Sequence, residues 1–202
     1  MPIVDGKYYG NDDPSWWDDL IDKLSSKQPP SPPAPTPPSP PAAITPGTPQ
    51  YKLIQAQDTA RSNPRFQPNQ PDNPGATFCN FATCDISKSA GAPMAALCHG
   101  NRYALANEAA QQLANSSEWH EILPKDAQNV ANQGTLVIGV QSNPYGHGHM
   151  VTVRPETMPG LATSLGQAPI VNNIGHDVNV VPAGQAFEKK LAPPRYYAPN
   201  RR

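Results

Sequence analysis

The sequence predicts an α+β domain, because segments with helical periodicity come first along its core and strand-like runs follow them. The helical segments fall within residues 77–134, and the strand-like runs fall within residues 135–182. Helices and strands that are segregated in this way are typical of helices packed on an antiparallel sheet. The string NPYGHG between the first two strand-like runs has the chemistry of a hairpin loop, which also favours antiparallel pairing.

A proline-rich segment precedes this domain. Eleven of the 27 prolines fall in residues 29–49. Because proline fixes φ and lacks a backbone N–H, we expect a disordered, extended spacer there rather than a helix or a strand. The chain then divides into an N-terminal docking segment, a linker, one domain and a loose C-terminal tail, at residues 1–28, 29–50, 51–190 and 191–202.

The N-terminal segment contains one predicted helix, with Ser15 as its N-cap. Its apolar residues recur at helical spacing and share one face: Trp16, Trp17, Leu20, Ile21 and Leu24. A short isolated helix cannot bury two adjacent tryptophans by itself. They either fold back on the domain or, as the spacer behind them favours, dock on a larger protein assembly.

Three helices are predicted in the domain. Thr77 is suited to cap a helix over residues 78–90, and Gly91 is suited to end it. The second helix covers residues 103–114, and the third covers residues 125–132 and ends before a glycine.

The predicted strands begin with residues 135–141, which form a nearly continuous apolar run typical of a buried strand. The next run, His149–Val153, alternates, so His149 and Val151 share one face. Two further runs lie close together at residues 169–175 and 177–182.

Charge, the length of apolar runs and cysteine content exclude several classes of function. The formal net charge is −1, so the chain offers no basic surface for nucleic acid. Its apolar runs are shorter than a membrane span, and we expect neither a span nor a secretory signal. The three cysteines are too few for a disulfide scaffold and contain no C-x-x-C pair for a structural zinc ion. The sequence leaves open whether Cys84 and Cys98 pair.

Two residues suggest nucleophilic chemistry. Cys79 lies in the first turn of a predicted helix, where backbone N–H groups and the helix dipole stabilise a thiolate, so we expect a lowered pKa. His149 begins a strand after a glycine-rich turn, from which its imidazole can project toward that helix start. Cys84 is interpreted as a core residue and His147 as an ordinary turn histidine.

A Cys–His pair of this kind needs a third polar group to orient the imidazole. Asn172 and Asn173 lie on the following strand and point to opposite faces, and we prefer Asn173. His176 lies close by in the sequence and is a third candidate.

Three strings together carry a family resemblance: ATFCNFATCDISKSAG, ALANEAAQQLANSSEWHEI and DAQNVANQGTLVIGVQSNPYGHGHMVTVRP. They resemble the papain-like cysteine amidases and peptidases that include CHAP domains, which are common in phage lysins and bacterial cell-wall enzymes. The resemblance implies a papain-like fold that cleaves an amide bond of peptidoglycan. Cys79 would be the nucleophile and His149 the base, with no metal or organic cofactor. The string PIVNNIGHD is less similar, which leaves the third residue open.

The architecture favours a cell-wall hydrolase carried on a phage virion, and a secreted antibacterial amidase effector is the second choice. One rival is a non-catalytic structural virion or tail component with a papain-like fold. Another is a module that binds the cell wall without cutting it. A zinc amidase that uses His147 and His149 with Cys98 or His99 has weak support, because their spacing is not that of a metal site.

Overall fold

The computed structural model describes most of the chain, namely residues 3–4, 7–8, 44–68, 70, 76–100, 102–157 and 168–200. The predicted helix with Trp16 and Trp17 lies outside the described residues, as does the proline-rich spacer up to residue 43. Both therefore stay predictions.

The chain divides into two units, Met1–Ser39 and Pro40–Arg202. In the first unit, two short strands, β1 (Ile3–Val4) and β2 (Lys7–Tyr8), pair antiparallel.

Five α-helices are found among the described residues of the second unit. They are α1 (Pro49–Ser62), α2 (Cys79–Ser89), α3 (Ala106–Asn115), α4 (Pro124–Asn132) and α5 (Ala183–Ala186), with a 3-10 turn at Pro64–Phe66 between the first two. Three of them, α2, α3 and α4, were predicted. Gly91 and Gly134 follow α2 and α4 with φ of +69° and +81°, as expected of helix-ending glycines.

The predicted cap of α2 is wrong. Phe78 occupies the N-cap position instead of Thr77, and no side chain caps the helix there. Helix α1 was not predicted. It begins at Pro49, so the last two residues of the predicted linker belong to it, and Thr48 Oγ1 caps it by accepting a hydrogen bond from the Tyr51 N–H.

The strands form one large sheet and one small hairpin. They are β3 (Cys98–His99), β4 (Arg102–Tyr103), β5 (Trp119–Ile122), β6 (Ile138–Gln141), β7 (His149–Val153), β8 (Ile170–Ile174), β9 (Val178–Pro182) and β10 (Arg195–Pro199). The large sheet has the order β5-β10-β6-β7-β8-β9, and every neighbouring pair in it is antiparallel. This mixture of helices and antiparallel strands agrees with the predicted α+β class.

The C-terminal segment differs from the expected loose tail. Its strand β10 lies inside the sheet and pairs with β5 on one side and β6 on the other. Tyr196 and Tyr197 are 2% and 1% exposed, on opposite faces of the sheet. Since a strand in the sheet interior has both edges hydrogen-bonded, this segment is part of the domain.

Apolar side chains cover both faces of the sheet. One cluster joins α1, α2 and α3 to the sheet and includes Leu53, Ile86, Leu113, Ile138, Met150 and Ile174. The other joins α4 and α5 to the opposite face and includes Ala127, Val151, Val153, Val171, Phe187 and Tyr196. The alternation of side chains along β7 therefore places Met150 in one cluster and Val151 in the other.

A disulfide joins Cys84 in α2 to Cys98 in β3. The pairing that the sequence left open is therefore present, and Cys79 is the free cysteine. None of the helices in the described part of the chain is both long and apolar enough to cross a membrane.

Candidate active site

His149 and Asn173 are in direct contact. His149 Nε2 lies 2.7 Å from Asn173 Oδ1. The two residues come from adjacent strands, β7 and β8, whose register pairs Thr152 with Asn172. That register places Asn173 on the sheet face of Val151, which His149 shares, so the structure selects Asn173 from the candidates for the third residue.

The other hydrogen bonds of Asn173 determine how its amide is oriented. Its Nδ2 donates to the backbone oxygen of Asp177 and to Asn179 Oδ1, both at 3.2 Å. Because a backbone carbonyl can only accept, the amide nitrogen must face Asp177 and Oδ1 must face the imidazole. His149 therefore carries its proton on Nε2 and donates it to Asn173, which leaves Nδ1 with the lone pair of a base.

Other groups restrain the imidazole. The ring of Phe187 meets it edge-on, with 5.9 Å between centroids. A Cβ at Gly175 would come within 3.0 Å of His149 Cε1, so glycine allows the chain to pass close to the ring. Burial lowers the pKa of His149 and the nearby His176 lowers it further, while the hydrogen bond to Asn173 acts in the opposite direction.

Cys79 begins helix α2 and packs against β7. The residue is 6% exposed. The backbone N–H groups of Met150, Asn80 and Cys79 itself each act to lower the pKa of the thiol. Met150 directly follows His149 in the chain, so the thiol lies beside the strand that carries the imidazole. The thiol packs in the cluster of Met150, whereas alternation along β7 gives His149 the face of Val151, and, among the described residues, no hydrogen bond joins these two side chains.

The expected lowering of the Cys79 pKa is wrong. Burial raises the pKa of the thiol, and the three backbone N–H groups only partly oppose that effect. The sequence correctly placed Cys79 at a helix start, but it did not reveal how deeply the first turn is buried. At neutral pH the thiol therefore keeps its proton before substrate binds.

A cleft of about 240 Å³ opens on the imidazole. His149, Asn173 and Gly175 line it on one side, and Gln141, His176 and Glu188 are among the residues that line it elsewhere. The cleft therefore gives a small polar group access to His149. Cys79 is not among the described residues that line it.

The loop between β6 and β7 sets the position at which His149 enters the sheet. Asn107 on α3 holds this loop through three hydrogen bonds: its Nδ2 donates to the backbone oxygens of Asn143 and Gly146, and its Oδ1 accepts from the Asn143 N–H. A Cβ at Gly148 would lie 2.4 Å from the Gln141 backbone oxygen, so this position requires glycine.

Gln141 restrains the opposite wall of the cleft. It is 3% exposed, and its Nε2 donates to the backbone oxygens of Glu188 and Ala192. Its Oε1 accepts from the Glu188 N–H. Asn107 and Gln141 were not predicted as site residues, because each acts through contacts distant in sequence.

The other predicted site residues take no part in the contact between His149 and Asn173. Asn172 is 2% exposed, and its side-chain amide has no hydrogen-bond partner. His147 and His176 line the cleft. Cys98, a ligand in the rival zinc site, is bound in the disulfide and offers no thiolate.

Comparison with known proteins adds no relative. No family model matches the sequence, and no curated protein matches it at a significant level. The structure itself shows an α+β domain with a cysteine at a helix start and a histidine–asparagine pair on the adjoining sheet.

Proposed function

We propose that the chain is a cysteine amidase or endopeptidase that cleaves amide bonds of peptidoglycan. The observation that carries the proposal is the 2.7 Å contact between His149 and Asn173, in which the amide orientation leaves Nδ1 as a base. The thiol of Cys79 lies beside the same strand, in the apolar cluster that contains Met150, the residue after His149. A nucleophile, a base and a group that orients the base are the three parts that such catalysis requires.

The reaction begins from neutral partners. As the Cys79 sulfur attacks the amide carbonyl carbon, its proton passes to His149 Nδ1, because the raised thiol pKa and the lowered imidazole pKa disfavour an ion pair beforehand. The backbone N–H of Cys79 stabilises the oxyanion. His149 then protonates the leaving amine as the C–N bond breaks, which leaves a thioester on Cys79.

Water completes the cycle. His149 Nδ1 takes a proton from a water molecule, whose oxygen attacks the thioester carbon. The C–S bond breaks, a carboxylic acid is released, and the proton returns to the sulfur. Neither a metal ion nor an organic cofactor takes part in these steps.

We propose a papain-like arrangement for the fold. The support is a nucleophile at the first residue of α2, packed against an antiparallel sheet whose adjacent strands β7 and β8 supply the histidine and the asparagine. The family resemblance of the sequence implies the same arrangement.

We also propose that the enzyme is virion-associated and acts on the bacterial cell wall, with a secreted effector as the alternative. The disulfide between Cys84 and Cys98 favours a site of action outside a reducing cytoplasm, and both settings satisfy that condition. The helix with Trp16 and Trp17 would attach the protein to its carrier.

One observation favours the non-catalytic alternative, a structural virion or tail component. Cys79 is 6% exposed and its thiol pKa is raised, as in an inert core cysteine. The hydrolase is preferred because a core cysteine would not require an oriented imidazole on the adjoining strand.

The test is release of soluble fragments from purified peptidoglycan by the wild-type chain, with and without a chelator. The proposal expects new amine termini and no effect of chelation, and the fragment masses identify the bond that is cut. A correctly folded chain that releases nothing from several wall types would leave the structural alternative. Activity that chelation abolishes would instead support a metal amidase.

A further inference from the structure

A second groove lies beside the candidate active-site cleft. Its volume is about 580 Å³, enough for one or two sugar rings. The side of α3, the end of β6 and the segment before β10 form its walls, with Gln111, Asn115, Ser142, Asn143, Pro144 and Arg195 among the lining residues. The mechanism proposed above assigns no role to this groove.

The groove and the cleft share a wall. Gln141 lines the cleft, whereas the next residue, Ser142, lines the groove. Likewise Leu191 lines the cleft and Ala192 lines the groove. The groove and the cleft are therefore bordered by the same two chain segments, 141–142 and 191–192.

The chemistry of the groove suits a neutral ligand with many hydrogen-bonding groups. Gln111, Asn115 and Ser142 are exposed and present amides and a hydroxyl, which both donate and accept. Among the described residues that line the groove, Arg195 alone is charged, and Glu121 binds its guanidinium. A ligand carboxylate would have to compete with that ion pair.

An exposed aromatic residue directly follows the lining residues in the chain. Tyr145, which directly follows Pro144, is 93% exposed. Its backbone is held in place, because its N–H donates to Asn143 Oδ1 at 2.9 Å and Asn107 holds the same loop. An exposed ring with a phenol at its edge offers an apolar face and a polar group to a ligand that has both, as a sugar ring does.

We propose that this groove is a saccharide subsite, which binds neutral N-acetylated sugar rings of a glycan strand. Tyr145 stacks on a sugar ring, and Gln111 and Asn115 bond its hydroxyl and acetamido groups. A stem peptide fits the groove less well, because its carboxylates and ammonium group find no free charged partner among the described lining residues. The assignment to peptidoglycan rests on the proposed function, whereas the saccharide chemistry rests on the groove itself.

The test is a titration of the wild-type full chain with a soluble β-1,4-linked trisaccharide of N-acetylglucosamine, followed by amide NMR. We expect shifts at Gln111, Asn115 and Tyr145. Tyr145→Ala should weaken binding about tenfold, as expected for loss of an aromatic contact. Leu123→Ala, at a residue 58% exposed and outside the residues that line the groove, should leave the affinity unchanged.

The inference is overturned if the trisaccharide shifts none of these amides, or if Tyr145→Ala binds it as tightly as the wild type. It is also overturned if an Ala-Glu-Lys peptide shifts them and the trisaccharide does not. A chain that releases peptidoglycan fragments but fails this titration retains the hydrolase proposal and loses the subsite. A chain that binds the trisaccharide but releases no fragments retains the subsite and loses the hydrolase proposal.

Discussion

At the scale of single residues, the candidate site depends on one side-chain amide. Asn173 accepts from His149 Nε2 and donates to Asp177 and Asn179, so its orientation is fixed from both ends. Among Asn172, Asn173 and His176, the sequence favours Asn173 but does not establish it. The decision depends on the register between β7 and β8, which places Asn173 on the face of His149, and no local pattern encodes that register.

Replacing Asn173 should affect catalysis more than stability. We expect Asn173→Ala to lower kcat by about tenfold to a hundredfold, part of the ~10²- to 10⁴-fold that a positioned acid–base group supplies. The physical reason is that the imidazole loses the group that fixes its tautomer. Fragment release from peptidoglycan measures the effect.

Asn172→Ala is the matched control. This asparagine is buried on the other face, and its amide has no hydrogen-bond partner. We expect kcat to stay near the wild-type value. Equal losses of kcat in the two variants would contradict the role of Asn173.

The pH dependence follows from the pKa of His149. Burial and His176 hold that pKa below the ordinary value of 6.5. Because catalysis requires a neutral imidazole in the free enzyme, kcat/KM should fall on the acid side only below that pH. The variant His176→Ala lacks this effect on His149, so the acid side of its kcat/KM profile should move to higher pH.

His147→Ala provides the comparison for this shift. His147 also lines the cleft, but it is not among the groups that shift the pKa of His149. The acid side of the kcat/KM profile of His147→Ala should therefore match that of the wild type. The account is contradicted if the wild-type limb lies above 6.5, or if His176→Ala leaves it in place.

At the scale of elements, the site is the meeting of α2 with β7. The sequence predicted both, because α2 has a glycine stop and β7 alternates after a glycine-rich turn. It missed α1, whose buried face includes the polar Gln57 and whose start lies in the proline-rich segment. Gln57 Nε2 donates to Thr152 Oγ1 and to the Val153 backbone oxygen, which fixes α1 on β7. The polar Gln57 interrupts the apolar spacing of Leu53, Ile54 and Ala60, so the helical pattern in the sequence is weak.

The disulfide should stabilise the domain, since it closes a loop with a sequence separation of 14 residues between α2 and β3. We expect the double variant Cys84→Ser with Cys98→Ser to lose about 3 kcal/mol of unfolding free energy, the loop-closure value for this size. Urea denaturation measures the loss. Reductant should destabilise the wild type by a similar amount and leave the double variant unchanged. A wild type whose urea midpoint is unaffected by complete reduction would contradict this expectation.

At the scale of the whole molecule, the second unit depends on its C-terminal strand. The sequence predicted a loose tail, because the last residues, RYYAPNRR, are weakly basic. The structure places β10 between β5 and β6, where Tyr196 and Tyr197 are buried in different clusters. Which strand occupies the middle of a sheet is a property of topology, and sequence periodicity does not report it.

Truncations at the two ends should therefore have opposite effects. Deleting residues 195–202 removes two buried tyrosines, each worth about 3–5 kcal/mol on the scale of large-to-small core substitutions, and should abolish cooperative unfolding. Deleting residues 1–39 leaves both apolar clusters of the second unit intact, so unfolding should stay cooperative and fragment release should persist. Thermal denaturation distinguishes the two. A C-terminal deletion that unfolds like the full chain would contradict the role of β10.

The most direct test of the central claim is a search for the covalent intermediate on Cys79. The wild-type chain is mixed with peptidoglycan, quenched in acid within one turnover, digested, and analysed by mass spectrometry. The account predicts that the peptide containing Cys79 carries a peptidoglycan fragment as a thioester, and that Cys79→Ala neither carries it nor releases fragments. Fragment release by Cys79→Ala at the wild-type rate, with its fold intact, would contradict the account.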